Sequence, residues 1–189
     1  ELVNYCKRHL HRHQEKSELY RIFYYDCPPS DKNIYHPFLG RQVNLKSTDL
    51  HQWTLDFFES LKRQRKLALR LGKLADEQAL YTIKPQIVKR LCNGKLSWSD
   101  LSEEDFCLQV SQKGVDMRIG IDIASVAFKK QVNQIILISG DSDFVPAAKL
   151  ARREGIDFIL DPLGAPIKPD LFEHIDGLRS CDKAYSHKN

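Results

Sequence analysis

The chain has 189 residues, of which 42% are hydrophobic and 29% are charged, and its formal net charge is +4. This composition excludes disordered, collagen-like and disulfide-rich miniprotein classes and predicts a soluble chain of about one domain. The longest apolar runs, such as residues 135–138, are far shorter than the roughly 20 residues of a membrane-spanning helix, so we expect no membrane segment.

The cysteines indicate the cellular compartment. There are five, an odd number, and they are scattered without a Cys-x-x-Cys pair, which argues against a disulfide framework and against a zinc site. The first 14 residues show no signal-peptide core. We therefore predict a cytoplasmic protein.

In the first part of the chain, predicted helices and strands alternate. Residues 1–14 have apolar side chains at helical spacing, and residues 19–25 form a β-branched and aromatic run typical of a strand. The polar stretch that follows, up to Ser47, is longer than most connections and is predicted to be a functional loop. Thr48 or Asp49 is expected to cap a helix that runs to about residue 65.

The remaining predicted elements continue this alternation. Short strands and one helix are expected in the middle of the chain, at 67–71, 80–83, 85–91 (the helix) and 106–110. The last part has clearer signals, with helices at 115–129, 146–154 and 168–174 and strands at 134–139, 156–160 and 177–180.

This order predicts an α/β class. Strands with continuous apolar runs that alternate with helices are typical of parallel strands buried between helices. We therefore expect a mainly parallel sheet flanked by helices on both faces. Residues 1–189 are expected to form a single domain, with an insertion or lid around residues 76–106.

Acidic residues directly follow the best predicted strand. In open parallel sheets, ligands bind beyond the carboxyl ends of the strands, and here the 134–139 strand runs into Gly140-Asp141-Ser142-Asp143. Because Pro146 is tolerated only in a first helical turn, the next helix is capped at Asp143 or later. Capping therefore explains Asp143 but not Asp141, and we predict a functional role for Asp141.

Two further acids lie on the preceding helix. Its apolar stripe, about 80° wide at 100° per residue, is made of Val115, Ile119, Ile123 and Val126. Asp116 and Asp122 flank this stripe on opposite sides. A carboxylate beside a buried stripe needs a partner or a metal. The alternative for Asp116 is helix capping, and the alternative for Asp122 is a polar network with the backbone or an arginine.

Acids that converge on a sheet edge suit Mg²⁺ or Mn²⁺, which prefer oxygen ligands. The pattern contains no Gly-x-Ser-x-Gly nucleophile motif and no glycine-rich phosphate loop. His9 and His13 share a helix face but are expected on an exposed helix rather than at a metal. Asp26, before two prolines, is expected to start a turn.

A block of basic residues without an acid lies near the end of the second predicted helix. It contains Lys62, Arg63, Arg65, Lys66, Arg70 and Lys73. Such a block attracts the phosphates of nucleic acids. The alternative is a solvated helix end, where basic residues are favoured by the helix dipole.

Several segments of the sequence resemble the NYN domain family, in particular the LabA-like branch of the PIN-like nucleases. The similarity is carried by Lys-Gly-Val-Asp at 113–116, Asp122, Ser-Gly-Asp-Ser-Asp-Phe at 139–144, Pro146, Arg153 and Gly155. Segments 19–29 and 167–179 also look like bacterial members. The resemblance implies a PIN-like fold and Mg²⁺- or Mn²⁺-dependent hydrolysis of RNA phosphodiester bonds.

By motif, Asp116 and Asp141 match the family's principal metal-site acids, and Asp122 and Asp143 match its supporting acids. The family begins with a strand ending in Asp-Gly-x-Asn, whose Asp is a central ligand, and this sequence has no such segment. That strand lies in the middle of the family's sheet, and losing it would usually abolish folding. We therefore expect a fragment whose first strand lies upstream; the alternative is a degenerate, inactive member.

The resulting hypothesis is a ribonuclease with Asp116, Asp141 and Asp143 as catalytic acids and Asp122 as a further metal ligand. Six basic residues are expected to bind single-stranded RNA: Lys113, Lys62, Arg63, Arg65, Lys66 and Arg153. An inactive RNA-binding or regulatory module and a small-molecule phosphohydrolase are the alternatives. A homodimer is considered, although no residue indicates it.

Overall fold

The computed structural model describes residues 1–10, 17–139, 141 and 143–181. The chain divides into two compact units. The first consists of Glu1–Tyr25, Gln64–Arg70 and Asp116–Asn189, and the second of Asp26–Arg63 and Leu71–Val115. All four acids of the predicted metal site belong to the first unit.

Within the described residues there are six α-helices and eleven strands. The helices are α1 (Leu2–Arg8), α2 (Asp49–Lys62), α3 (Pro85–Cys92), α4 (Val115–Phe128), α5 (Val145–Arg153) and α6 (Pro169–Phe172). The strands are β1 (Ile22–Asp26), β2 (Asn33–His36), β3 (Arg41–Asn44), β4 (Leu67–Leu71), β5 (Lys73–Leu74), β6 (Leu80–Ile83), β7 (Phe106–Gln109), β8 (Gln112–Lys113), β9 (Gln134–Ile138), β10 (Asp157–Asp161) and β11 (Gly177–Leu178).

The first unit contains a three-stranded parallel sheet in the order β11-β10-β9. Ile159 of β10 lies beside Ile136 of β9 on one side and Gly177 of β11 on the other. Because β10 has a neighbour on each edge, its side chains from Phe158 to Asp161 are buried. Its continuous apolar run is therefore the signature of a parallel strand covered on both faces.

Strands β1 and β4 form a separate pair. Backbone hydrogen bonds join the Ile22 N–H to the Lys66 carbonyl and the Gly72 N–H to the Asp26 carbonyl, each at 2.8 Å, so the two strands run in the same direction. Strand β9 has an apolar run like that of β10. Its only described neighbour is β10, however, and all its residues are half-buried. Strands β1 and β9 thus lie in different sheets.

The second unit is built from antiparallel pairs, β2–β3, β6–β7 and β5–β8. The sequence analysis predicted that the polar stretch before Ser47 is a loop. This prediction is wrong, because the stretch includes the β2–β3 hairpin. Ile34 and His36 point inward from β2, and the His36 ring lies 4.2 Å from that of Tyr81. Because one of the two inward residues is a histidine, the apolar alternation of a strand was not visible in the sequence.

The α/β class is confirmed, but the extended parallel sheet flanked by helices is confirmed only in part, since several pairs are antiparallel. Thr48 caps α2 as predicted, accepting from the His51 N–H at 3.3 Å, although α2 ends at Lys62 rather than near residue 65. Residues 76–106 lie within the second unit, and their action as a lid stays a prediction. No helix in the described part of the chain is long and apolar enough to cross a membrane.

Candidate functional site

The loop after β9 presents two exposed carboxylates, those of Asp141 and Asp143. The Ser139 N–H donates to the Asp161 carbonyl at 3.0 Å, which ties the start of the loop to the end of β10. The Asp143 N–H then donates to Asp141 Oδ1 at 3.1 Å. A side-chain oxygen of an aspartate that accepts from the N–H two residues later forms an Asx turn. Asp141 therefore has a local structural role that the sequence analysis did not identify.

Neither acid caps the following helix. The N-cap of α5 is Phe144, without a side-chain hydrogen bond, and Pro146 lies in the first turn. The cap thus falls after Asp143, within the range that Pro146 allows. Helix capping therefore does not account for the carboxylate of Asp143 or for that of Asp141.

Asp116 lies exposed in the first turn of α4, where the helix dipole favours a negative charge. No hydrogen bond or ion pair between described residues joins it to Asp141 or Asp143. Across the described ranges, no three histidine, cysteine or acidic side chains lie close enough together to hold a metal ion. The structure thus places Asp141 and Asp143 on one turn and does not bring Asp116 to them.

Asp122 is engaged by an arginine and a tyrosine. Its Oδ2 accepts from Arg70 Nε and from the Tyr25 hydroxyl, each at 3.0 Å, and its Oδ1 lies 3.4 Å from Arg70 Nη2. Burial and the Asp122 carboxylate raise the pKa of Tyr25, which keeps its hydroxyl protonated as a donor. Of the two alternatives for Asp122, the structure shows the arginine network.

The donor chemistry of the loop fits a hard divalent cation in one particular mode. Mg²⁺ is usually bound by one or two carboxylates and substrate phosphates and keeps several waters. Asp141 and Asp143 are exposed on one turn and supply carboxylate oxygens of this kind. They fit a cation shared with a bound phosphate.

A buried polar network that the sequence analysis did not predict lies at the carboxyl end of β10, beside the end of β9. Asp161 ends β10 and is 0% exposed. Its Oδ2 accepts from the Tyr5 hydroxyl at 2.5 Å and lies 3.0 Å from His9 Nε2, and its Oδ1 accepts from the Leu163 N–H at 3.0 Å. An acid directly after the apolar run of β10 was the signal that could have identified it.

His9 is 2% exposed, so the prediction of a histidine on an exposed helix face is wrong; His13 lies outside the described residues. Burial lowers the pKa of His9, although the Asp161 carboxylate opposes this. Burial, followed by the hydrogen bond to Asp161, raises the pKa of Tyr5 to about 12. At neutral pH the network therefore consists of a neutral histidine and a protonated tyrosine that face one carboxylate.

We expect folding stability to fall as the pH drops below 6.5, the ordinary pKa of histidine. The folded chain binds a proton at His9 less readily than the unfolded chain does. The stabilisation is therefore present above pH 6.5 and is lost between that pH and the lowered pKa of the folded state, with a slope of at most about 1.4 kcal/mol per pH unit. Urea unfolding at pH 7.5, 6.5 and 5.5 measures this dependence.

His9→Gln is the control for this measurement, since glutamine can still donate to Asp161 but does not titrate. The variant should lose less stability than the parent chain between pH 6.5 and 5.5. Equal losses in the two proteins would contradict a role for His9.

The predicted RNA-binding residues are either exposed or lie in ion pairs. Lys62 lies 2.6 Å from Glu59, Lys66 lies 3.1 Å from Glu18, and Arg153 lies 3.7 Å from Glu154. The other three are exposed: Arg63, Arg65 and Lys113. The six are distributed over both units, and their role in binding RNA stays a prediction.

Comparison with known proteins identifies one family. The model of the NYN domain matches residues 54–166, more than half of the chain. The matched range includes Asp116, Asp122 and the acidic loop after β9, but it does not resolve the LabA-like branch. Searches of curated proteins and of solved structures found no match.

Proposed function

Because the chain belongs to the NYN domain family, we propose that it is a nuclease that hydrolyses the phosphodiester bonds of RNA. Membership indicates a nuclease-like, RNA-related function. The observation that carries the proposal is the exposed pair Asp141 and Asp143 on the turn after β9, within the matched range. The carboxyl end of a parallel strand is where ligands bind in sheets of this kind.

In the proposed mechanism, Asp141 and Asp143 would hold Mg²⁺ or Mn²⁺ together with the RNA phosphate. Asp116, which the described structure does not bring to them, is not included among these ligands. Such an ion supplies Lewis-acid stabilisation of charge on the phosphate and lowers the pKa of water. The Asx turn orients the Asp141 carboxylate, because its Oδ1 is bonded to the Asp143 N–H while its second oxygen is left for a ligand. Hydrolysis adds a water to phosphorus and breaks the bond to the leaving sugar oxygen.

We assign Asp122 a different task. Its carboxylate oxygens already face Arg70 and Tyr25, and displacing a paired arginine from a half-buried carboxylate would leave a charge without its partner. Asp122 therefore positions Arg70 and is not included among the proposed metal ligands.

The proposed partner is RNA, which the basic residues of both units would attract through its phosphates. No surface of the described residues supports the homodimer considered from the sequence. The five cysteines all lie within the described residues and form no disulfide bond with one another. This supports a reducing compartment, and we propose the cytoplasm.

The test is cleavage of an end-labelled single-stranded RNA, and of DNA of the same sequence, with Mg²⁺, with Mn²⁺ and with a chelator. We expect cleavage of RNA with either metal and none with the chelator. Cleavage that continues in the chelator would contradict the proposed use of a metal, and RNA left intact under all conditions would contradict the nuclease.

An RNA-binding module without catalysis is the second candidate. It is favoured by the ion pair of Asp122 with Arg70, which neutralises one of the four acids that the resemblance assigns to the metal site. Such a module would bind RNA with a strong salt dependence and would be insensitive to Mg²⁺. Binding measured in parallel with the cleavage assay distinguishes the two functions.

A further inference from the structure

We propose that the first unit has a second site, a pocket that binds the phosphate of a nucleotide. The pocket has a volume of about 290 Å³ and lies between α4 and the β1–β4 pair. Tyr20 and Arg21 line it just before β1, and Gln131 lines it just before β9. The acidic loop, in contrast, leaves the carboxyl end of β9, and the five residues of that strand span about 16 Å.

The lining of this pocket is positively charged. Arg21, Arg70 and Lys129 contribute three positive charges, and Asp122 contributes the one negative charge, so the net charge is +3 − 1 = +2. Arg21 and Lys129 are exposed. Because the Asp122 carboxylate is bonded to Arg70 and Tyr25, the pocket offers an incoming ligand mainly donors and positive charge, which suits an anion.

Arg70 is held in place before any ligand arrives. Its Nε and Nη2 face the two oxygens of Asp122, and its guanidinium carbon lies 5.5 Å from the centre of the Phe23 ring. A guanidinium has five N–H donors in a rigid fork. The two that face Asp122 leave three for a ligand, in an orientation that Asp122 and Phe23 determine.

The neighbouring residues point to a nucleotide rather than to a bare anion. The Tyr20 hydroxyl donates to Gln131 Oε1 at 3.2 Å, so the amide NH₂ of Gln131 is left to donate to a ligand. The Tyr20 residue is 40% exposed, and an exposed aromatic ring is a surface on which a base can stack. The volume of about 290 Å³ lies just below the roughly 300–1,000 Å³ of small-molecule pockets, which suits a ligand no larger than one nucleotide.

The ligand is therefore a phosphorylated nucleoside, either a free mononucleotide or one nucleotide of an RNA strand. This inference goes beyond the proposed function, because no acid of the loop after β9 contributes to the pocket. Binding can be measured with a chelator present and without hydrolysis, so the two proposals can fail separately.

The experiment measures the affinity of the full chain for AMP, adenosine, inorganic phosphate and a five-nucleotide RNA by calorimetry in a chelator. We expect AMP to bind at least tenfold more tightly than adenosine or phosphate. Arg21→Gln and Lys129→Gln should each weaken binding of AMP at least about tenfold, the effect of losing one charge-assisted hydrogen bond. Both residues are exposed, so the variants should fold normally.

Lys130→Gln is the matched control, because Lys130 is the exposed neighbour of Lys129 and does not line the pocket. It should change the affinity less than twofold. Tight binding of the RNA alone, sensitive to Lys129→Gln, would support the site and identify the ligand as part of a strand. Equal effects of Lys129→Gln and Lys130→Gln, or no saturable binding of either AMP or RNA, would overturn the proposal.

Discussion

The Asp141→Asn variant should fold as stably as the parent chain, and its rate of RNA cleavage should be at least about 100-fold lower. Asparagine retains the side-chain oxygen that accepts from the Asp143 N–H at 3.1 Å, since asparagine also forms Asx turns. The substitution removes the negative charge that would help to hold the metal ion. Stabilisation of charge by a metal lowers the free energy of a transition state by several kcal/mol, and about 1.4 kcal/mol corresponds to a tenfold change in rate. Initial rates on labelled RNA, beside urea unfolding, measure both effects.

Asp170→Asn is the control for that experiment. Asp170 belongs to the same unit, and its side chain is 72% exposed on α6. We expect the cleavage rate of this variant to be within twofold of the parent. A rate for Asp141→Asn that equals the rate for Asp170→Asn would remove Asp141 from the proposed mechanism.

The Asp161→Ala variant should lose about 3–5 kcal/mol of unfolding free energy, the largest change in stability that we expect. The substitution leaves three donors without their acceptor, namely the Tyr5 hydroxyl, His9 Nε2 and the Leu163 N–H. Unsatisfied buried donors cost about 1–3 kcal/mol each, and of the three the Leu163 N–H belongs to a residue that is 41% exposed, so its loss costs less. The expected total loss is a large share of the roughly 5–15 kcal/mol that stabilise a domain.

Urea unfolding at pH 7.5 measures this loss. Asp161→Asn keeps the volume and one accepting oxygen and should lose about 1–3 kcal/mol, so it provides a value even where the alanine variant does not fold. Asp170→Ala should stay within about 0.5 kcal/mol of the parent, as exposed substitutions usually do. Losses below 1 kcal/mol for both Asp161 variants would contradict the network.

The order of helices and strands could be predicted closely because it depends on local patterns. The strand predicted at 134–139 is β9, Gln134–Ile138, and the helix predicted at 115–129 is α4, Val115–Phe128. Three of the four apolar residues of the α4 stripe are buried, Ile119, Ile123 and Val126. Helical and strand periodicity alone determine which face is apolar, so an isolated sequence contains this information.

The β2–β3 hairpin shows where local patterns are insufficient. His36 is 3% exposed because its ring packs against Tyr81 and Phe106, which lie far along the chain. A histidine at an inward position counts as polar in a sequence pattern. The strand therefore became visible only once the residues that cover it were in place.

The sequence by itself determined the α/β succession, the family, and an acidic turn at the end of an apolar strand. Only the tertiary structure decided which partners the carboxylates meet. Asp122 meets Arg70 across 52 positions of the chain, and Asp161 meets His9 and Tyr5 across 152 and 156. Periodicity and turn chemistry act within a few residues, whereas the partner of a buried carboxylate is whichever donor the folded chain brings within about 3 Å.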